Sequence, residues 1–89
     1  MKTNKQTGEV IEFFEYDGNV LDENAVYYVP QWAIDGLDDE MLTFDEEDND
    51  LGVVTPEGKD VLKEGDYVVF DSKGEYHAFT PEAFHATFE

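Results

Sequence analysis

The residues with the greatest capacity for chemistry are acids crowded into one short stretch of the chain. The protein has 89 residues, with 23 Asp and Glu against five Lys and Arg, and a formal net charge of −18. Eight of the acids fall between positions 38 and 50, and they are Asp38, Asp39, Glu40, Asp45, Glu46, Glu47, Asp48 and Asp50. Such a density of carboxylates creates a negative electrostatic potential that attracts a positively charged site on another protein. The cluster predicts a surface that mimics a nucleic-acid backbone and binds a basic protein, and the alternative is a solvated acidic surface.

The charge balance excludes other classes of partner. Direct binding to DNA, RNA or an anionic membrane requires Lys and Arg contacts with phosphate, so none of these partners is expected. The acidic run also lacks the spacing of a calcium loop, because the twelfth position counted from Asp48 is Lys59 instead of Glu. The absence of Cys excludes disulfides, thiolate zinc sites, iron–sulfur clusters and Cys nucleophiles. We therefore expect no metal and no cofactor.

A second set of residues has the types needed to bind a nucleotide. Aromatic rings can stack on a nucleobase, and a carboxylate can accept hydrogen bonds from a base or a ribose. The members of this candidate pocket are Tyr27, Tyr28, Trp32, Asp66, Tyr67, Tyr76 and His77. The alternative is that most of the aromatic residues pack in the core, since so short a chain has little else with which to fill it.

Catalysis is not expected. Ser72, His77 and an acidic residue are the residue types of a catalytic triad, but most acidic proteins contain the same three types. No sequence motif typical of a catalytic site is present. His77 is predicted to lie on a strand face and His85 on the exposed side of a helix. The glycines punctuate turns and form no phosphate-binding loop.

The elements that must position these residues are short strands separated by turn residues. Aromatic and β-branched runs predict strands at 10–16, 25–29, 41–44, 52–55, 59–62, 67–70 and 75–79. The first is apolar on both faces and is predicted to be a central strand. Pro30 begins a helix over 31–35 that Gly36 ends, and Thr80 with Pro81 begins a C-terminal helix over 81–88.

These elements predict a small α+β domain. A mostly antiparallel sheet of five to seven short strands carries the two helices, and residues 1–89 form a single domain. Residues 1–8 are expected to be flexible, and residues 45–50 are expected to form an exposed acidic loop. The N-terminus is polar, and no apolar run approaches the roughly 18 residues of a membrane span. The chain is therefore expected to lie in the cytoplasm.

Five separated blocks of the chain resemble small accessory proteins of phages and prophages. Residues 10–18 resemble their opening VIEAFQYDG, residues 28–35 their YVPQWAID segment, and residues 64–69 their PGDYII segment. Residues 74–76 and 81–89 are similar to the closing GEFY and PDIFEKTYE. The chain departs from this family where a basic YRKKP start is replaced by a polar one, and where Glu64 replaces a Pro. The resemblance implies a phage or prophage origin and does not imply an activity.

Two hypotheses follow from these observations together. The first is a non-enzymatic phage accessory protein in the cytoplasm of a bacterial host, which inhibits a basic host protein, such as a defence nuclease or a DNA-binding enzyme, through its acidic surface. The alternative is a sponge that sequesters a nucleotide signal of host immunity in the aromatic pocket. This pocket is expected at an oligomer interface, with local positive potential from Lys59, Lys63, Lys73 or backbone amides. The sequence leaves the oligomeric state open.

Overall fold

Seven antiparallel strands divide between two sheets and carry two helices in the computed structural model, which describes residues 1–89. In chain order the elements are β1 (Lys2–Thr3), β2 (Val10–Glu15), α1 (Gln31–Asp38), β3 (Leu42–Asp45), β4 (Asp50–Thr55), β5 (Gly58–Leu62), β6 (Tyr67–Phe70), β7 (Tyr76–Phe79) and α2 (Pro81–Thr87). The first sheet has the order β1-β2-β6-β7 and the second has the order β3-β4-β5. The predicted α+β class and the C-terminal helix are confirmed, with the strands split between two sheets.

The first sheet is covered on both faces, because successive side chains of a strand point to opposite sides. On one face, Ile11 and Val69 pack with Phe84 of α2. On the other face, Val68 joins a second cluster that includes Leu51 and Leu62 of the second sheet. The prediction of a central strand over residues 10–16 is therefore confirmed for β2, although the regular strand ends at Glu15.

Helix α2 begins where its local signals place it. The Thr80 hydroxyl oxygen accepts a hydrogen bond from the Ala83 backbone N–H, Pro81 opens the helix, and Glu82 lies in the first turn. A carboxylate at this position stabilises the positive end of the helix dipole. Phe84 is 1% exposed and fastens the helix to the sheet.

Helix α1 continues past the residue that the sequence predicts as its end. Gly36 is buried inside the helix, and a Cβ placed on it would lie 2.8 Å from ring atoms Cε2 and Cζ of Tyr76. The glycine therefore serves the close approach of an aromatic ring and does not end the helix. The chain leaves the helix at Asp39, and Glu40 follows with a φ of 62°.

The strand predicted at 25–29 is wrong. Its place is taken by a loop with a single bridge between Leu21 and Tyr27. Side-chain oxygens hold the loop: the Asn19 amide oxygen accepts from the Leu21 backbone N–H, and an Asp22 carboxylate oxygen accepts from the Val26 backbone N–H. Such local hydrogen bonds compete with the hydrogen bonds between strands, and in this segment the backbone forms the local bonds instead of a strand.

The N-terminal segment is held by the other end of the chain. The sequence predicts flexibility over residues 1–8, whereas in the structure Thr3 exchanges two backbone hydrogen bonds of 2.9 Å with Glu89. The Lys5 ammonium donates to the His85 carbonyl oxygen at 2.8 Å, at the negative end of α2. The N-terminus is thus tied to the C-terminal helix.

Candidate functional site

The acidic run at 45–50 is the tip of a hairpin. Asp45 is the last residue of β3, Asp50 is the first residue of β4, and these two carboxylates lie directly opposite each other in the strand register. Only residues 46–49 form the turn. The sequence predicts an exposed loop over 45–50. All six residues are exposed, and the loop is the turn of a β-hairpin whose strands include Asp45 and Asp50. We call residues 45–50 the acidic hairpin.

The eight acids predicted as one cluster occupy two places. All eight are exposed. Asp38, Asp39 and Glu40 lie where α1 leads into β3, and the acidic hairpin lies at the other end of the same strand. With a rise of roughly 3.3 Å per residue, about 13–16 Å of strand separates the two groups. Closeness in sequence is therefore not closeness in space here.

The acidic hairpin is anchored to the end of β2. The Tyr16 hydroxyl donates to the Asn49 carbonyl oxygen at 2.5 Å, and the Tyr16 ring is 1% exposed. Backbone bonds from Tyr16 N–H to the Asp66 carbonyl oxygen and from Gly65 N–H to the Tyr16 carbonyl oxygen bring the turn at 63–66 to the same point. A cleft between the hairpin and the loop at 19–25 is lined by Asp22, Glu23 and Glu46.

Three chain segments thus contribute carboxylates to one end of the molecule. We call this surface the acidic end and define it as Asp17, Asp22, Glu23, Asp45, Glu46, Glu47, Asp48, Asp50 and Glu64. Each of these residues is exposed. Sequence reasoning found the hairpin members and missed Asp17, Asp22, Glu23 and Glu64. Turn residues at strand ends are visible in the sequence, but which ends meet depends on the tertiary pairing.

The electrostatics of two phenols report this concentration of charge. Burial raises the pKa of Tyr16, and the carboxylates of Asp17, Asp50 and Glu64 raise it further. The Tyr28 hydroxyl donates to Asp17 Oδ1 at 2.6 Å, and this hydrogen bond, with lesser contributions from burial and nearby charge, raises the pKa of Tyr28 to about 12. A negative potential disfavours the phenolate in both cases. Carboxylates from three separate segments therefore act on Tyr16.

The lysines do not neutralise the acidic surface through direct ion pairs. No Lys ammonium lies within 4.0 Å of a carboxylate oxygen, and the one ion-pair contact joins His77 Nε2 to Asp71 Oδ2 at 2.7 Å. None of the 23 acidic residues is buried, and Glu9, Asp66 and Asp71 are the half-buried ones. The acidic end therefore presents its carboxylates to solvent without internal partners of opposite charge.

The aromatic residues predicted as a nucleotide pocket do not form one. Trp32 stacks on Phe70 with ring centroids 5.3 Å apart, and its carbonyl oxygen accepts from the Tyr76 hydroxyl at 3.0 Å. Tyr67 lies on the other face of the sheet, stacked on Phe84 at 4.0 Å. Alternation along β6 places neighbouring side chains on opposite faces, so these rings pack in two different clusters.

The remaining members of the predicted pocket are also dispersed. Tyr27 and Tyr28 are 43% and 47% exposed and belong to the loop before α1. Asp66 Oδ2 accepts from the Lys63 backbone N–H at 3.0 Å and thereby closes a turn. His77 lies on β7, paired with Asp71. Within one copy of the chain these residues therefore do not converge on a pocket, since they serve packing, turns and a separate groove.

Ser72 and His77 are not arranged as a nucleophile and its base. The Ser72 hydroxyl bonds to Glu9, while His77 Nε2 bonds to Asp71. A catalytic serine requires a hydrogen bond to its histidine, and these two side chains engage different carboxylates. No three His, Asp or Glu side chains converge in a way that could hold a metal ion.

Comparison with protein-family models, with curated proteins and with solved structures finds no match to this chain. Neither helix has the length and apolar character needed to cross a bilayer.

Proposed function

We propose that this chain is a non-enzymatic, phage-encoded accessory protein that acts in the cytoplasm of a bacterial host. It inhibits a nucleic-acid-handling host protein, such as a defence nuclease or a DNA-binding enzyme, by placing its acidic end in that protein's basic site. The observation that carries the proposal is the convergence of three segments, 17–23, 45–50 and residue 64, on one exposed surface. The resemblance of five sequence blocks to phage accessory proteins supports the origin.

The acidic end is held in place by contacts of its own. The bonds from Tyr16 to Asn49 and from Tyr28 to Asp17 fix the hairpin and the neighbouring loop relative to β2. A preformed array of charge loses less conformational freedom on binding than a flexible acidic tail. Complementary potential then accelerates encounter with a basic cleft, and ionic strength weakens this attraction.

The acidic hairpin also contains an electrostatic repulsion that binding to a basic partner would relieve. Asp45 and Asp50 face each other across the hairpin, and like charges directly opposite in a sheet are destabilising. Cationic side chains of a partner placed between such carboxylates convert repulsion into attraction. Asp38, Asp39 and Glu40 offer a second contact at the far end of β3.

The alternative role as a nucleotide sponge has no comparable support. The aromatic side chains that it would use lie on different faces of the first sheet or in the loop before α1. Its acceptor Asp66 is engaged in a turn. We therefore propose only the acidic-surface function.

The test compares two variants of equal net charge. In the first, four members of the acidic end that make no side-chain hydrogen bond are neutralised: Glu23→Gln, Glu46→Gln, Glu47→Gln and Asp50→Asn. In the matched control, four other exposed acids without side-chain hydrogen bonds are neutralised: Glu12→Gln, Glu57→Gln, Asp60→Asn and Glu75→Gln. Both variants have four fewer negative charges. Each protein is used for affinity capture from bacterial lysate at low and at high salt.

The proposal predicts that the wild type and the control retain the same basic nucleic-acid-binding protein at low salt, and that the acidic-end variant does not. The salt dependence of binding to the purified partner should fall in the acidic-end variant. Equal retention by all three proteins, or equal loss in both variants, would contradict the assignment to the acidic end.

A further inference from the structure

A groove of about 150 Å³ lies at the opposite end of β2 from the acidic end, between the first sheet and the C-terminal end of α2. A cavity of about this size can accept a ligand as large as benzene. Its apolar floor is formed by Ile11, Val69, Phe79 and Phe88. Ile11 and Val69 are 2% and 1% exposed, so the floor is part of the core and is rigidly placed.

The polar rim of this groove contains two of the three half-buried carboxylates in the protein, Glu9 and Asp71. Glu9 Oε2 accepts from both the backbone N–H and the hydroxyl of Ser72, whereas Glu9 Oε1 has no partner within the protein. Asp71 Oδ1 accepts from the backbone N–H groups of Lys73 and Glu75 at 2.9 Å. Both carboxylates are therefore fixed in direction before any ligand arrives.

The charge at the rim is negative. Burial disfavours ionisation of Asp71, but the hydrogen bonds from His77 and from the backbone prevail, and its pKa is lowered. No Lys side chain lines the groove. His77 also lines the groove, where its Nε2 bonds to Asp71 Oδ2 at 2.7 Å, and its side chain is 44% exposed.

This combination selects one class of ligand. An anion would face two carboxylates, and a neutral apolar molecule would remove water from those carboxylates without replacing its hydrogen bonds. An ammonium group on a short aliphatic chain suits both the apolar floor and the acidic rim. The aliphatic chain contacts the floor, and the charged nitrogen donates hydrogen bonds to the carboxylates of the rim. We propose that the groove binds an alkylammonium group, as carried by a free diamine or by a Lys side chain.

The proposal is independent of the function assigned to the acidic end, and its test uses defined probes. The full chain, labelled with ¹⁵N, is titrated with n-butylamine at pH 7, and with n-butanol and butyrate at the same ionic strength. We expect saturable shifts of the Ile11, Val69 and Phe88 amides with butylamine and a Kd of about 1–10 mM, a range suited to a ligand of five heavy atoms. Butanol should bind at least about tenfold more weakly, because it lacks the charge-assisted bonds.

Two variants and a matched control locate the charge that matters. Glu9→Gln keeps an acceptor for Ser72 and should weaken butylamine binding at least about fivefold, and Asp71→Asn should do the same. Glu12→Gln removes an equal charge from an exposed position on β2 that does not line the groove, and it should leave the Kd unchanged. If one variant fails to fold, as judged by the loss of dispersion in its NMR spectrum, the other variant and the comparison with butanol still test the proposal.

Two further probes distinguish the source of the ammonium group. Tighter binding of 1,4-diaminobutane would assign the groove to free diamines, and tighter binding of Nα-acetyllysine N-methylamide would assign it to a Lys side chain. The proposal is overturned if the shifts spread over the acidic end without saturating, or if Glu12→Gln weakens binding as much as Glu9→Gln. Either result would mean that butylamine acts only as a counter-ion of the net charge.

Discussion

The opposed pair of Asp45 and Asp50 allows a prediction in which the loss of a carboxylate strengthens the fold. Directly opposite residues in an antiparallel pair have Cβ atoms about 4.5–5.5 Å apart. Two unit charges at roughly 5–6 Å in water repel by about 0.7–0.8 kcal/mol. Asp50 makes no side-chain hydrogen bond, so its replacement removes repulsion without removing a contact. Asp50→Asn should therefore increase the free energy of unfolding by about 0.5–1 kcal/mol.

The assay is urea and thermal denaturation at low ionic strength. For a domain of this size, 0.7 kcal/mol corresponds to a rise in Tm of about 3–6 °C. In 0.5 M salt the Debye length falls to about 4 Å, so more than half of the gain should disappear.

The matched control is Asp60→Asn, an exposed acid of β5 whose cross-strand neighbour is Val53. It changes the net charge equally and should shift Tm less than half as much. Destabilisation by Asp50→Asn, or equal gains in both variants at every salt concentration, would refute the view that the hairpin holds two carboxylates against their repulsion.

Three further changes test other parts of the structure. Gly36→Ala should lower stability by about 1–2 kcal/mol in urea denaturation, because a clash with the Tyr76 ring outweighs the gain in helix propensity; a neutral or stabilising result would contradict the packing. Because folding lowers the pKa of Asp71, its contribution should be fully present above its unfolded value of 3.8 and be lost as the pH falls through the folded value. Asp71→Asn should thus destabilise at pH 6, and the destabilisation should shrink as the pH falls below 3.8, whereas a loss that does not change with pH would refute the ionic contribution. Asp17→Asn should return the pKa of Tyr28 from about 12 towards 10 in an NMR titration, and an unchanged value would mean that Asp17 is not the cause.

The features that were predictable from the sequence are those fixed by neighbours in the chain. The Thr80 cap and Pro81 define the start of α2 through local hydrogen bonding and a preset φ, and the strands predicted at 52–55 and 59–62 are found in β4 and β5. The prediction that Gly36 ends α1 is wrong because a glycine is needed there for the close approach of the Tyr76 ring, which lies 40 positions away in the sequence. Local propensity carries no information about such an approach.

The same distinction applies to the candidate site. The exposure of the acidic run followed from its composition, because six such residues cannot be core. The assembly of the acidic end did not follow from composition. The contacts of Tyr16 with Asn49 and with the turn at 63–66 bring Glu64 towards the hairpin, and Asp22 lines a cleft together with Glu46 of the hairpin. The aromatic residues of the candidate pocket do not meet within one chain for the complementary reason: similar residue types are distributed over two faces of one sheet.

The most direct test of the central claim is competition with nucleic acid for the captured host protein. A fluorescent DNA or RNA duplex bound to that protein is titrated with the wild type, with the acidic-end variant and with the control variant of equal charge, and the anisotropy is followed. We predict that the wild type and the control displace the duplex with matching midpoints, and that the acidic-end variant needs at least about tenfold more protein. A stable complex that holds the wild-type protein and the duplex together would contradict the account.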